Sequence, residues 1–248
     1  MNPILNTWKI QLLGDILDLQ FLQQHFNEFN IRVLKGCQDN EYFYESDSFK
    51  SSLTPNEVLK NAENELLILT GILRLEGRGL RALQAGAVFK ATPSGQTEIF
   101  LNIVETAHVR AECSVSLQTS DPEGHITQSV IQNIPRSLRL VNLAESTPAI
   151  AKALRLIGAK GAKSWVELYR ILEVIIDDVG GSKQLELTGL CSAKDLARFK
   201  HSANSVAVAG DAARHGNEDT QPPRRPMSIE EAQAYINYVL ESWIASKQ

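Results

Sequence analysis

The chain has 248 residues, 43% hydrophobic and 22% charged, with a formal net charge of −4. That balance belongs to a globular protein with apolar material for one large domain or two modest ones, and its acidic excess argues against a surface coated in nucleic acid while leaving room for a local basic patch. Three widely spaced cysteines, Cys37, Cys113 and Cys191, form no CxxC pair for a zinc or thioredoxin-type motif, and their odd number predicts reduced thiols. No run approaches the roughly 18 consecutive apolar residues of a membrane helix, and the first residues meet Lys9 and Asp15 before a signal-peptide core can form. A cytoplasmic protein with no membrane partner is expected.

In chain order, Thr7 to Leu13 alternates as a strand does, and Asp15 can cap a helix carrying Ile16, Leu19, Leu22 and Phe26. Ile31 to Leu34 and Glu41 to Tyr44 read as strands. Thr54-Pro55-Asn56-Glu57 is a capping-box sequence with proline at the first helical position, opening a long helix through Val58, Ala62, Leu66, Leu69 and Leu73. Gly71 lies inside that helix at a cost of about 1 kcal/mol against alanine, which predicts a kink or a close contact there. Ala87 to Ala91, Glu98 to Val104, Val109 to Leu117 and Ser137 to Leu143 follow as β-type runs, with turn signals at Pro93-Ser94-Gly95 and Asp121-Pro122-Glu123-Gly124. Their spacing predicts antiparallel hairpins.

Beyond Ser146 the period becomes helical. Thr147-Pro148 opens a helix that ends at Gly158, Ser164 to Glu167 is a capping box for one that ends at Gly180-Gly181, Ser192 caps a third, and Ser228 to Glu231 caps the last. Asn217 to Pro226 is a polar, proline-rich loop. The expected fold is therefore α+β: a mixed half with antiparallel strands over residues 1–145, and a helical bundle of four-helix type over 146–248. Trp165, Leu172, Phe199, Tyr235 and Trp243 are its expected core.

Gly158 to Ser164 (GAKGAKS) superficially suggests a phosphate loop, but alanine precedes Lys163, the glycine spacing is one short, and a helix rather than a strand leads in. A tight interhelical turn is the better reading. His25, His108 and His125 share no metal-ligand spacing with carboxylates or cysteines, so no metal or other cofactor is expected.

The densest set of chemically capable side chains lies between Ser192 and Gly216. On one continuous helix at about 100° per residue, Asp211 and His215 fall within about 20° of Asn204, His201 lies about 60° away, and Arg214 about 80° to the other side. Ala207, Ala209, Gly210, Ala212 and Ala213 would admit a helix or ligand close by, although Gly210 could equally break the helix. As a catalytic site, His215 or His201 would move a proton, Arg214 would hold an anion such as phosphate, and Asn204 and Asp211 would orient them. As scaffold, the same residues would form a buried polar network with Arg214 paired to Asp211.

The last hundred residues resemble a HEPN domain, the small helical bundle of prokaryotic defence, toxin and RNA-processing proteins. The resemblance rests on a bundle of helices, on Arg214-His215-Gly216 followed by a polar loop, and on the closing helix opened by Met227 to Ala232. HEPN ribonucleases place an arginine several residues ahead of a histidine at a dimer interface; here Arg198 stands three positions before His201 and Arg214 directly before His215. The resemblance implies a homodimer and a metal-independent ribonuclease or RNA-binding protein serving phage defence or growth arrest. His215 would be its general acid or base, Arg214 would stabilise phosphorane charge, and Asn204, Asp211 and His201 would support them. The other reading is a non-catalytic interaction or dimerisation module of a larger complex, with a protein partner. On the first reading Arg214 and His215 carry activity and contribute little to stability.

Overall fold

The computed structural model describes residues 7–26, 30–92, 96–102, 135–214 and 221–248. It is α+β, with one antiparallel five-stranded sheet and a helical C-terminal region. By internal contacts the chain forms two compact units, 1–59 with 84–139, and 60–83 with 140–248. The helical unit thus takes in most of the long capping-box helix and the residues from Leu140 onward, as well as everything after Ser146.

The sheet unit starts with strand β1 (Thr7–Leu13), then helix α1 (Ile16–His25), β2 (Ile31–Lys35), β3 (Tyr42–Ser46) and a 3-10 turn (Asp47–Ser51). Helix α2 (Pro55–Leu75) precedes β4 (Gln84–Ala91) and β5 (Thr97–Phe100). Strand order is β2-β3-β1-β4-β5, every neighbouring pair antiparallel. Two crossovers interleave: β1-α1-β2 straddles β3, and β3-α2-β4 straddles β1. This is the split βαβ arrangement of ferredoxin-like sheets, with β5 added as a hairpin on the β4 edge. Hairpins were expected among the runs from Ala87 onward, with helices after Asp15 and Thr54; among the described residues hairpins join β2 to β3 and β4 to β5, and α1 and α2 carry the other connections.

Cross-strand register explains the alternation in β1. Val33, Tyr44, Ile10 and Val88 stand side by side across four strands, and all four are fully buried. Displacing any strand by one residue would turn its share of this row to the opposite face. Asp15 caps α1 by accepting from the Leu17 amide at 3.0 Å, and the Trp8 indole donates to the Ser52 carbonyl at 3.1 Å. At the start of α2, Thr54 Oγ1 accepts from the Glu57 amide, while the Glu57 carboxylate takes the Leu53 amide at 2.7 Å.

One expected strand is a helix. Ser137 to Leu143 lies within α3 (Arg136–Ser146). Leu138, Val141 and Ala144 are buried at three-residue intervals with Leu140 beside them, a helical stripe that the alternating Leu138 and Leu140 disguise. The expected strand at Val109 to Leu117, the end of the Glu98 to Val104 run and both turn signals lie outside the described residues.

The helical unit continues with α4 (Pro148–Gly158), α5 (Trp165–Asp178), the unanticipated short α6 (Ser182–Leu187), α7 (Ala193–Asn204), α8 (Val206–Ala209), a 3-10 turn (Gly210–Ala212) and α9 (Ile229–Ala245). Trp165, Leu172, Phe199 and Trp243 are buried, and Tyr235 is half-buried with its ring 5.7 Å from Phe199. The Trp243 indole donates to Asp178 at 2.9 Å, and Lys247 pairs with the same carboxylate at 2.7 Å.

Gly71 marks a close contact, as its place inside a helix suggested. A methyl group there would overlap the Leu154 carbonyl of α4, and one at Gly158 would overlap the Leu67 carbonyl of α2 and stand 3.1 Å from the Gly71 amide. The two backbones touch through paired glycines. One turn further along α2, the Arg74 guanidinium donates to the carbonyls of Ile157 and Ala159, closing the C-terminus of α4 at 2.8 Å for the latter. Burial holds the Arg74 pKa below its ordinary value.

Alanine at Gly71 gains about 1 kcal/mol of helix propensity but over-packs a backbone carbonyl that cannot rotate aside, a cost of about 1–3 kcal/mol at the upper end of that range. Gly71→Ala and Gly158→Ala are therefore each expected to lower the urea midpoint through overlap with a backbone carbonyl, whereas alanine at Gly161 meets no atom and carries only the strain of its φ of +86°. Equilibrium denaturation of the three variants checks this.

Candidate functional site

The segment from Ser192 to Arg214 does not form one helix. Ser192 opens α7 by accepting from the Asp195 amide at 3.0 Å while donating to its carboxylate at 2.7 Å. The helix stops at Asn204 because Ser205 adopts an extended backbone, with φ −93° and ψ 119°. A single turn of α8 follows, and Gly210 at φ +57° reverses the chain. Alanine-rich residues serve this tight excursion, which closes when the Arg214 amide donates to the Ala203 carbonyl at 2.9 Å.

The helical projection that aligned the candidate residues therefore ends at Asn204. His201 and Asp211 are exposed, Asp211 on the 3-10 turn. Asn204 is half-buried, and its enclosed side-chain oxygen has no hydrogen-bond partner among the described residues. His215 lies outside the described residues.

Arg214 has a defined setting. Its guanidinium lies 4.1 Å above the Tyr169 ring and donates to Glu173 Oε1 at 2.6 Å. The carboxylate that the structure gives it is Glu173, in place of the expected Asp211. Tyr169 and Glu173 stand one turn apart on α5, so they share a helix face. The Tyr169 ring in turn packs 5.9 Å from Phe199, which also meets Trp165 at 6.1 Å and Tyr235 at 5.7 Å. Arg214 thus fastens the returning chain to the aromatic centre of the bundle.

A second arginine fastens the far end of the loop. Arg198 Nε donates to the Arg225 carbonyl at 2.7 Å, and its terminal nitrogen reaches the Pro226 carbonyl at 3.0 Å and Glu231 at 2.9 Å. Ser202 Oγ accepts from the Met227 amide at 2.9 Å, and the Met227 side chain is buried. Glu231 also takes the Ser228 amide, completing the capping box of α9. Neither Glu173 nor the carbonyl-binding role of Arg198 has a local sequence signal. Both contacts join residues more than twenty positions apart, although the Tyr169–Glu173 interval hinted at a shared face.

Beside this network, burial pushes the pKa of the Cys191 thiol up, and burial followed by the neighbouring Cys191 does the same to the Tyr235 phenol. Both groups are held protonated, which suits packing rather than nucleophilic chemistry. An open groove of about 980 Å³ runs along α4 and α5, lined among others by Lys152, Arg170, Glu173, Asp177 and Gly181, and mixes both charges. Among the described residues no group of three His, Cys, Asp or Glu is placed to hold a metal ion, and no helix is long and apolar enough to cross a membrane. The Gly158–Ser164 stretch is an interhelical turn: Gly161 has φ +86°, Lys160 and Lys163 are exposed, and the Lys163 carbonyl accepts from Gln233 at 3.1 Å.

Comparison with protein-family models, with curated proteins and with solved structures gave no match.

The Arg214 setting makes stability a direct readout. A partly exposed ion pair contributes about 0–1 kcal/mol and an aromatic-stacked guanidinium about 0.5–1 kcal/mol, so Arg214→Ala should cost about 0.5–2 kcal/mol. Glu173→Gln should cost less, because the Tyr169 contact survives. A double-mutant cycle by denaturant titration should show positive coupling between the two; strict additivity would mean that the pair contributes nothing.

Proposed function

We propose that this chain is a non-catalytic interaction module that engages a protein partner. The observation that carries the reading is the engagement of Arg214: its guanidinium is stacked on Tyr169 and paired with Glu173. To stabilise developing phosphate charge, as the HEPN resemblance implies, that guanidinium would have to leave both contacts and lose the energy they contribute. His201 and Asp211 lie on separate elements, α7 and the 3-10 turn, and the helix that would have aligned them with Arg214 is interrupted at Ser205. Two arginines and a buried methionine serve to hold a surface loop in place, an arrangement suited to presenting that loop.

The test is an RNA-cleavage assay on the purified full chain with single-stranded and hairpin substrates, beside Arg214→Ala and His215→Ala. The expected result is no cleavage by the native chain above that of the His215→Ala control. Cleavage that both substitutions abolish, while melting curves show both variants folded at the assay temperature, would establish the ribonuclease reading instead.

A further inference from the structure

The proline-rich stretch singled out in the sequence belongs to neither the aromatic core nor the Arg214 contact. Gln221, Pro222, Arg224, Arg225 and Pro226 are exposed and Pro223 is half-buried. Its C-terminal end is held by Arg198 at the Arg225 and Pro226 carbonyls and by the buried Met227. Among the described residues neither the Arg224 nor the Arg225 guanidinium has an ion-pair partner.

Resting on the interaction-module reading, we infer that Pro222 to Pro226 is a docking segment for a partner protein whose groove is lined by aromatic rings and rimmed by carboxylates. Pro222, Pro223 and Pro226 have φ set near −65° by their rings, so little backbone entropy is lost when they dock. Proline rings pack on aromatic faces, and exposed guanidiniums match carboxylates in bidentate geometry. The chain bends at Arg224 and Arg225, and because Arg198 holds the Arg225 carbonyl, Arg224 is the residue whose backbone adjusts as the segment enters an extended groove. The Arg198 anchor leaves Pro222 to Arg224 as the part offered outward. A nucleic acid fits less well: two arginines neutralise only about two phosphates, and a chain of net charge −4 opposes a polyanion at long range.

The experiment uses the full chain and a recombinant SH3 domain with an acidic specificity pocket as the probe, measured by titration calorimetry. Saturable binding is expected, weakened about tenfold or more by Arg224→Ala/Arg225→Ala and by Pro222→Ala/Pro223→Ala. Melting curves verify that both variants fold, as substitutions at exposed or half-exposed positions should allow. No binding by the native chain, or binding unchanged in either folded variant, overturns the inference. So does tighter binding of a short polyuridylate that depends on the arginines and not on the prolines, which would make the segment a nucleic-acid contact. Failure here without RNA cleavage leaves the interaction-module reading in place; Arg214- and His215-dependent cleavage removes that reading independently.

Discussion

Where α2 and α4 cross, neither helix has room for a side chain, and the helical unit is organised around that fact. Gly71 and Gly158 let the backbones meet, with each glycine lying where a Cβ would strike a carbonyl of the other helix. Close approach brings Arg74 within reach of the Ile157 and Ala159 carbonyls at the end of α4, and the Ala159 carbonyl also accepts from the Ala162 amide at 3.4 Å. Thr70, fully buried beside the crossing, resolves its own polarity locally by donating to the Leu66 carbonyl at 2.7 Å and accepting the Leu83 amide at 3.0 Å. The contact therefore helps to close the end of α4, and both glycines carry a helix-propensity cost that the packing offsets.

The same economy of small residues has a different use between Ser205 and Ala213. There the alanines and Gly210 shape a tight excursion that returns the chain to the end of α7, and Arg214 secures it on α5. Small residues in a run are compatible with close helix packing, ligand approach or sharp reversal. The choice among these falls to Ser205, whose extended backbone ends the helix, and to Gly210, whose positive φ few other residues adopt at low cost. Arg198 and Arg214 then fix the chain on either side of residues 215–220.

The sheet unit follows a separate logic. Ile10, Tyr44, Val33 and Val88 occupy one buried row across four strands, so each strand's register is set by its neighbours. With β1 between β3 and β4, strands close in sequence are not all neighbours in the sheet. The helical connections α1 and α2 satisfy that order, which strand spacing alone does not encode.

Local chemistry was legible in the sequence wherever it acts within a few residues. The boundaries of β1, the Asp15, Ser164 and Ser192 caps, the capping box at Ser228 and the ending of α4 at Gly158 all follow from short-range hydrogen bonding and periodicity. Gly71 inside a helix predicted either a kink or a close contact, because glycine there needs a reason, and the structure shows the contact. The identity of that contact, the helical state of Arg136–Ser146, the order of the strands and the pairing of Arg214 with Glu173 were decided by tertiary structure. In each case the deciding partner lies far away in the chain. A period of two or three and a half constrains which face a residue takes, but which element covers that face depends on packing the whole unit at once.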